Sequence, residues 1–234
     1  MLLFAAGNPF ISAYIQSDGF GKLIFWALFF LSGISWALLV YKIWVCSQVK
    51  RLSDAFASQF DESIDLLHLQ FTPQKGVLAQ LPHPFFEIYK SLKKNTLKVM
   101  SRSQTGSLEP TFLSQADLEL IAANTYSTIA VQHKNLETNL FVLSTIVTLG
   151  PFLGLLGTVW GILLTFSELD KAKAGSSMLS GLSMALATTV VGLIVAIPAL
   201  IGYNYLKNRG KEYRRDMEEF SDLLLTNIEL QYRK

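Results

Sequence analysis

The sequence predicts an all-α membrane protein with three transmembrane helices, of which the second and third extend into a cytoplasmic helical bundle. Three observations carry that prediction. Charged residues make up only 16% of the 234 residues while half are hydrophobic, against about 25% charged in ordinary soluble domains. The deficit is concentrated: 19 residues between Lys22 and Lys42, 30 between Glu137 and Glu168, and 33 between Lys173 and Lys207 carry no charge. Each run meets the length of about 20 mainly apolar residues that a helix needs to cross the hydrocarbon core. Outside the runs, apolar residues recur at intervals of three and four, as on a helix with one buried face.

The elements follow in order. Residues 1–22 read as a periplasmic segment. The apolar run from Leu23 starts too far along for a signal peptide and lacks both a basic n-region and a small-x-small cleavage site. Residues 23–45 are therefore assigned as a retained transmembrane helix. Trp26 and Trp44 bracket it, about 27 Å apart along a helix, which suits indoles at the two membrane interfaces. Residues 46–137 form a cytoplasmic helical region. Its first stripe, Val49, Leu52, Phe56, Phe60, Ile64 and Leu67, continues the first span until Pro73, Gly76, Pro82 and Pro84 interrupt it. Pro84 is placed to open a short helix carrying Phe85, Ile88, Tyr89 and Leu92, since proline is tolerated in a first turn. Ser101 to Pro110, rich in Ser, Gln and Gly, reads as a loop.

Leu118, Ile121, Thr125, Ile129, Leu136, Leu140 and Leu143 then share one face and predict a helix that enters the second span, 138–167, without a break. A periplasmic loop, 168–175, leads to the third span, 176–206. The tail, 207–234, repeats the stripe with Tyr213, Met217, Phe220, Leu224 and Ile228. Both long helices are expected to run about 50 residues, or about 75 Å. Lys42, Lys50 and Arg51 follow the first span, and Lys207, Arg209, Lys211, Arg214 and Arg215 follow the third, against only Lys22, Lys171 and Lys173 on the opposite side. The positive-inside rule then puts the N-terminus outside and the C-terminus in the cytoplasm.

Several function classes drop out. A net charge of +2 with no basic run longer than two residues does not describe a nucleic-acid binder. Cys46 is the single cysteine, which excludes an internal disulfide or a cysteine metal cluster, and it reads as a small packing residue. His68, His83 and His133 share no ligand spacing, so neither a metal site nor another cofactor is expected. With no nucleophile–base set in the pattern, an enzyme is the least favoured class.

Chemistry is concentrated inside the second and third spans. Gly150, Gly154, Gly157, Thr158, Gly161 and Thr165 lie along one side of the second. Ser177, Gly181, Ala185, Thr188, Thr189, Gly192 and Ala196 form a comparable stripe on the third. Two readings stay open: close helix packing, because small residues let backbones approach in lipid, or a polar lining facing a path or a partner helix. Pro151 and Pro198 interrupt the hydrogen-bond ladder and predict kinks. Neither span holds an Asp, Glu, His, Lys or Arg. A membrane ion relay depends on an ionisable group, so a proton carrier would have to come from another subunit.

The stretch Leu149 to Ile162, Leu-Gly-Pro-Phe-Leu-Gly-Leu-Leu-Gly-Thr-Val-Trp-Gly-Ile, resembles the second-span signature of the TolQ/ExbB family, relatives of MotA. Ala187 to Ala199, followed by Tyr203-Asn204, is similar to its third-span signature, and Ser35-Trp36-Ala37 also fits. The resemblance is sharp over residues 135–205. It implies an inner-membrane ring, generally a homopentamer, around single-span TolR/ExbD-like partners whose Asp carries protons. It implies a motor working with a TolA/TonB-like protein to energise envelope integrity or outer-membrane transport. The family's pore threonines map onto Thr158 and Thr189, with Thr188 an additional hydroxyl, while Gly154, Gly157, Gly161, Gly192, Pro151 and Pro198 fall in packing positions. One position departs: Met184 stands where the family often has a Glu, so the resemblance implies a relay resting on the partner's Asp and the threonines, with sodium as the alternative ion. The short segment before the first span leans toward the TolQ-like branch. The competing classes are a transporter or export-apparatus subunit and a structural membrane scaffold.

Overall fold

A computed structural model describes residues 9–57, 83–103, 113–167 and 174–232, with side chains for all of these except 102–103 and 174–178. Among them are six helices: α1 (Pro9–Gln16), α2 (Gly19–Ala57), α3 (Pro84–Ser103), α4 (Gln115–Glu137), α5 (Leu140–Ser167) and α6 (Ala174–Tyr232). The protein is an all-α membrane protein. Three helices, α2, α5 and α6, are long and apolar enough to cross a membrane. Phe60, Ile64, Leu67, His68, Pro73, Gly76 and Pro82, together with most of the expected 101–110 loop, lie outside the described residues.

The helices form two compact units. One holds α1, α2 through Tyr41, α5, and α6 through Leu206. The other holds α2 from Lys42, α3, α4, and α6 from Lys207.

The second unit is built on the stripes read from the sequence. Leu118, Ile121, Ile129 and Leu136 of α4 meet Met217, Phe220, Leu224 and Ile228 of α6 in one core, together with Val49 and Phe56 of α2 and Ile88 and Leu92 of α3. Each such side chain contributes about 1.5–3 kcal/mol by leaving water. Pro84 opens α3 as expected, but the helix runs 20 residues, to Ser103. A capping box starts α4: the Ser114 hydroxyl accepts from Asp117 N–H at 3.3 Å, and Ser114 N–H donates to the Asp117 carboxylate at 3.1 Å. Such a cap is worth about 1 kcal/mol.

One expectation needs correction. The helix entering the second span is not continuous: α4 ends at Glu137 and α5 begins at Leu140, with Thr138 as C-cap. Asn139 between them has φ 69°. Asparagine enters the left-handed region more readily than most residues, and in that conformation the 5→1 ladder is broken. Leu136 and Leu140 are both buried, so the apolar periodicity gave no sign of the interruption. The last turn of α4 leaves carbonyls without helical partners. Lys42 of α2, itself buried, donates from Nζ to one of them, Leu136 C=O, at 3.0 Å. Further ties are the buried Ser53–Tyr213 hydroxyl pair and the Tyr126 hydroxyl, which donates to Asp222 at 2.6 Å. The exposed pairs Arg209–Glu212, Arg214–Glu218 and Arg215–Glu219 add only about 0.3–0.5 kcal/mol each.

His83, just before α3, packs edge-on against Phe56 and Phe86, with ring centroids 5.4 and 6.1 Å away. Its Nδ1 is buried without a partner. Burial lowers its pKa below the usual histidine value, outweighing its backbone hydrogen bond and Glu87. The unfolded chain therefore binds a proton first on acidification, and the folded state loses stability as pH falls below about 6.5. Thermal unfolding followed by helicity should show a midpoint that drops between pH 7.5 and 5.5, and His83→Phe should flatten part of that slope.

Candidate functional site

The small-residue stripes of α5 and α6 meet each other within the first unit, running antiparallel. A side-chain carbon on Gly150 would stand 3.1 Å from Gly192 C=O, and one on Gly154 3.0 Å from Thr189 Cα. One on Gly157 would overlap the Thr188 side chain, and one on Gly161 would lie 2.6 Å from Gly181 C=O. From the α6 side, a carbon on Gly192 would meet Gly150 C=O at 2.6 Å. Contacts this short leave room for hydrogen alone, so the backbones approach as closely as small residues permit. Both helices continue through their prolines, Pro151 in α5 and Pro198 in α6. Lacking an N–H, each proline leaves the carbonyl four residues earlier without its ladder bond.

The three threonines of interest sit differently. Thr188 is fully buried, and its hydroxyl donates back to Met184 C=O at 3.1 Å and Ala185 C=O at 2.9 Å. It reaches no surface of the chain. Thr189 is half-buried at the edge of the seam, its hydroxyl 3.3 Å from Gly154 C=O of α5 and 3.2 Å from Ala185 C=O of its own helix. Thr158, also half-buried, stands one turn beyond Gly154 and donates to Leu155 C=O at 2.6 Å. The edge of one seam thus carries two hydroxyls with a surface and the interior carries one without. Thr165 closes the far end, its hydroxyl bonded to Gly161 C=O at 2.8 Å. Ser177, the first member of the α6 stripe, has no described side chain.

Met184 lies on the other side of α6 from Thr189, five residues and about 140° of helix away. It is 1% exposed, and its sulfur fills the space in which Gly21 of α2 would carry a side chain. An Asp18 carboxylate oxygen is 3.0 Å from that same point. The sequence expectations do not single out Asp18, yet it ties α2 to α5. It accepts from Gly21 N–H at 2.9 Å, capping α2, and from Trp160 Nε1 of α5 at 3.1 Å. Phe20 packs on Trp160 with ring centroids 4.5 Å apart, and Ser180 of α6 donates to Gln16 C=O at 3.1 Å. An Asp immediately ahead of a long apolar helix is an N-cap signature, the signal by which the sequence marks this residue.

Chemically, the seam offers hydroxyl oxygens and backbone carbonyls, with no carboxylate, amine or imidazole on either of its helices among the described spanning residues. It can solvate a passing ion or a partner's carboxylate. It cannot itself take up a proton.

Comparison with known proteins gives a consistent result. The profile of the MotA/TolQ/ExbB proton channel family matches residues 89–219. Similar proteins include the Tol-Pal system protein TolQ of Haemophilus influenzae, 25% identical over 95% of this chain and 94% of that protein. TolQ of Pseudomonas aeruginosa is 29% identical over 87% of each chain. The biopolymer transport protein ExbB of Pseudomonas putida is 26% identical over 94% of this chain and 64% of that protein.

Proposed function

The chain belongs to the MotA/TolQ/ExbB proton channel family, and on that premise we propose that it is the ring-forming channel subunit of a proton-motive-force-driven inner-membrane motor. Five copies surround a TolR/ExbD-like single-span partner that supplies the titrating Asp. The N-termini lie in the periplasm and the C-termini in the cytoplasm. A TolA/TonB-like protein passes the work to the envelope. The chain catalyses no covalent chemistry.

One observation supports this reading above the others: two half-buried hydroxyls, Thr158 and Thr189, stand at the edge of a glycine seam whose helices carry no ionisable group among their described spanning residues. Moving one charge through the membrane field releases about 2.3 kcal/mol per 100 mV. Harvesting that energy requires a path on which the partner's carboxylate is never stranded unsolvated. Thr158 and Thr189 provide hydrogen bonds along that path. Thr188, which has no surface, holds α6 against Gly157 instead.

Thr158→Val and Thr189→Val keep the side-chain shape and remove the hydroxyl. With the chain and its partner reconstituted in proteoliposomes, each is expected to lower ion flux about ten-fold, equivalent to about 1.4 kcal/mol in the barrier, near the lower end of what one hydrogen bond to a charged group contributes. Thr188→Val is expected to lower stability instead. Unchanged flux in both the Thr158 and Thr189 variants would remove the lining role. Mass measurement of the intact co-purified complex gives ring size and partner together, and a chain that purifies alone would count against the motor.

A further inference from the structure

A groove of 460 Å³ lies between α1, α2 and α6, with Tyr14, Trp26, Phe29 and Ile194 among its lining residues. We propose that it binds one glycerophospholipid, with an acyl chain along the groove and the phosphate held at Lys22 and Tyr14. This proposal is independent of whether the chain conducts ions.

Shape is the first argument. The α2 wall runs from Phe25 to Ser32, two helical turns or about 10.5 Å. Apart from the polar atoms of Tyr14, Trp26 and Ser32, the lining side chains are aliphatic or phenyl, and an extended acyl chain of that length matches them. Environment is the second: Phe29 and Ile194 are exposed on helices apolar enough to span a membrane, where the surrounding medium is lipid.

Charge decides the head group. Lys22 is one turn before Trp26 on the α2 stripe that forms the wall, and it has no ion pair among the described residues. A lysine at a span end extends its amine toward the interface. Across the groove, Trp26 Nε1 donates to the Tyr14 hydroxyl at 3.2 Å. The hydroxyl's own proton is left to donate outward. A cation and a hydroxyl donor at one end of an apolar slot, at the N-terminal end of α2, match an anionic phosphate above a tail.

The test uses the purified full-length chain, stripped of lipid and mixed with dioleoylphosphatidylglycerol or dioleoylphosphatidylcholine, read by native mass spectrometry. Wild type is expected to retain one lipid per chain, with about a five-fold preference for the phosphatidylglycerol, the factor one lysine confers at a membrane surface. Ser32→Phe combined with Ile194→Phe fills the slot and should remove the retained lipid of both kinds. Lys22→Gln should erase the preference while leaving the lipid bound. Equal retention by the filled variant, a preference unchanged by Lys22→Gln, or lipid-free wild-type assemblies with a neighbouring chain closing the groove would each overturn the proposal. Should the filled variant not fold, quenching by brominated acyl chains decides: the share of fluorescence lost in Trp26→Phe must be the quenched share in wild type, and an unquenched Trp26 refutes the site.

Discussion

Gly161→Val is expected to abolish ion flux and to lower the thermal midpoint of the purified protein by the largest amount of any single change in the seam. A carbon at that position would meet Gly181 C=O at 2.6 Å and the Ala185 methyl at 2.9 Å. The first neighbour is backbone and has no rotamer by which to yield, so α5 and α6 must separate. Overpacking typically costs about 1–3 kcal/mol. Here the separation also forfeits dispersion contacts along the helices, which in lipid are not replaced by a hydrophobic drive. Gly161→Ala should fall between valine and wild type. Gly33→Val is the control: nothing lies within 4 Å of a side chain added there, and melting and flux should both be unchanged. A Gly161→Val protein that melts and conducts like wild type would show that the close seam is dispensable.

The second large effect is expected at Met184. Introducing the carboxylate that the family resemblance implies here, as Met184→Glu, places a charge at a position 1% exposed, beside the Asp18 carboxylate at the Gly21 contact. Lys22 follows Gly21 in the chain but lies about 100° further round α2. Burying an unpaired charge costs about 3 kcal/mol or more, and the like charge of Asp18 adds to it. The variant should unfold at a clearly lower temperature at pH 7 and recover toward wild type near pH 4, where an introduced carboxylate is neutralised. Met184→Gln, similar in size but uncharged, should be affected far less by pH. A Met184→Glu protein of wild-type stability with raised ion flux would show instead that this side of α6 faces the path.

How legible the site was depended on the kind of signal. The helical stripes of the second unit are period signals, and Tyr213, Met217, Phe220, Leu224 and Ile228 are all buried where the spacing puts them. The break at Asn139 left no such mark, because the periodicity of Leu136 and Leu140 is blind to a single left-handed residue. Asp18 carried a cap signature, but nothing local to it announces Trp160, 142 positions away, as its partner. Lys42 counted toward membrane orientation as one basic residue among several. Its bond to Leu136 C=O is a contact across 94 positions.

The sequence by itself determined the membrane class, the three spans and the absence of an ionisable group within the second and third. These follow from composition and from period, and both are local properties. Only the tertiary structure decided which hydroxyl does what. Thr188 and Thr189 are neighbours in the chain, about 100° apart on a helix. Antiparallel contact with α5 buries the first against Gly157 and leaves the second at the edge, 3.3 Å from Gly154 C=O. The same rotation turns Met184 toward α2 and Asp18, away from Thr189. Which face of a helix is inside depends on where its neighbours stand, and that information is not held in any one segment.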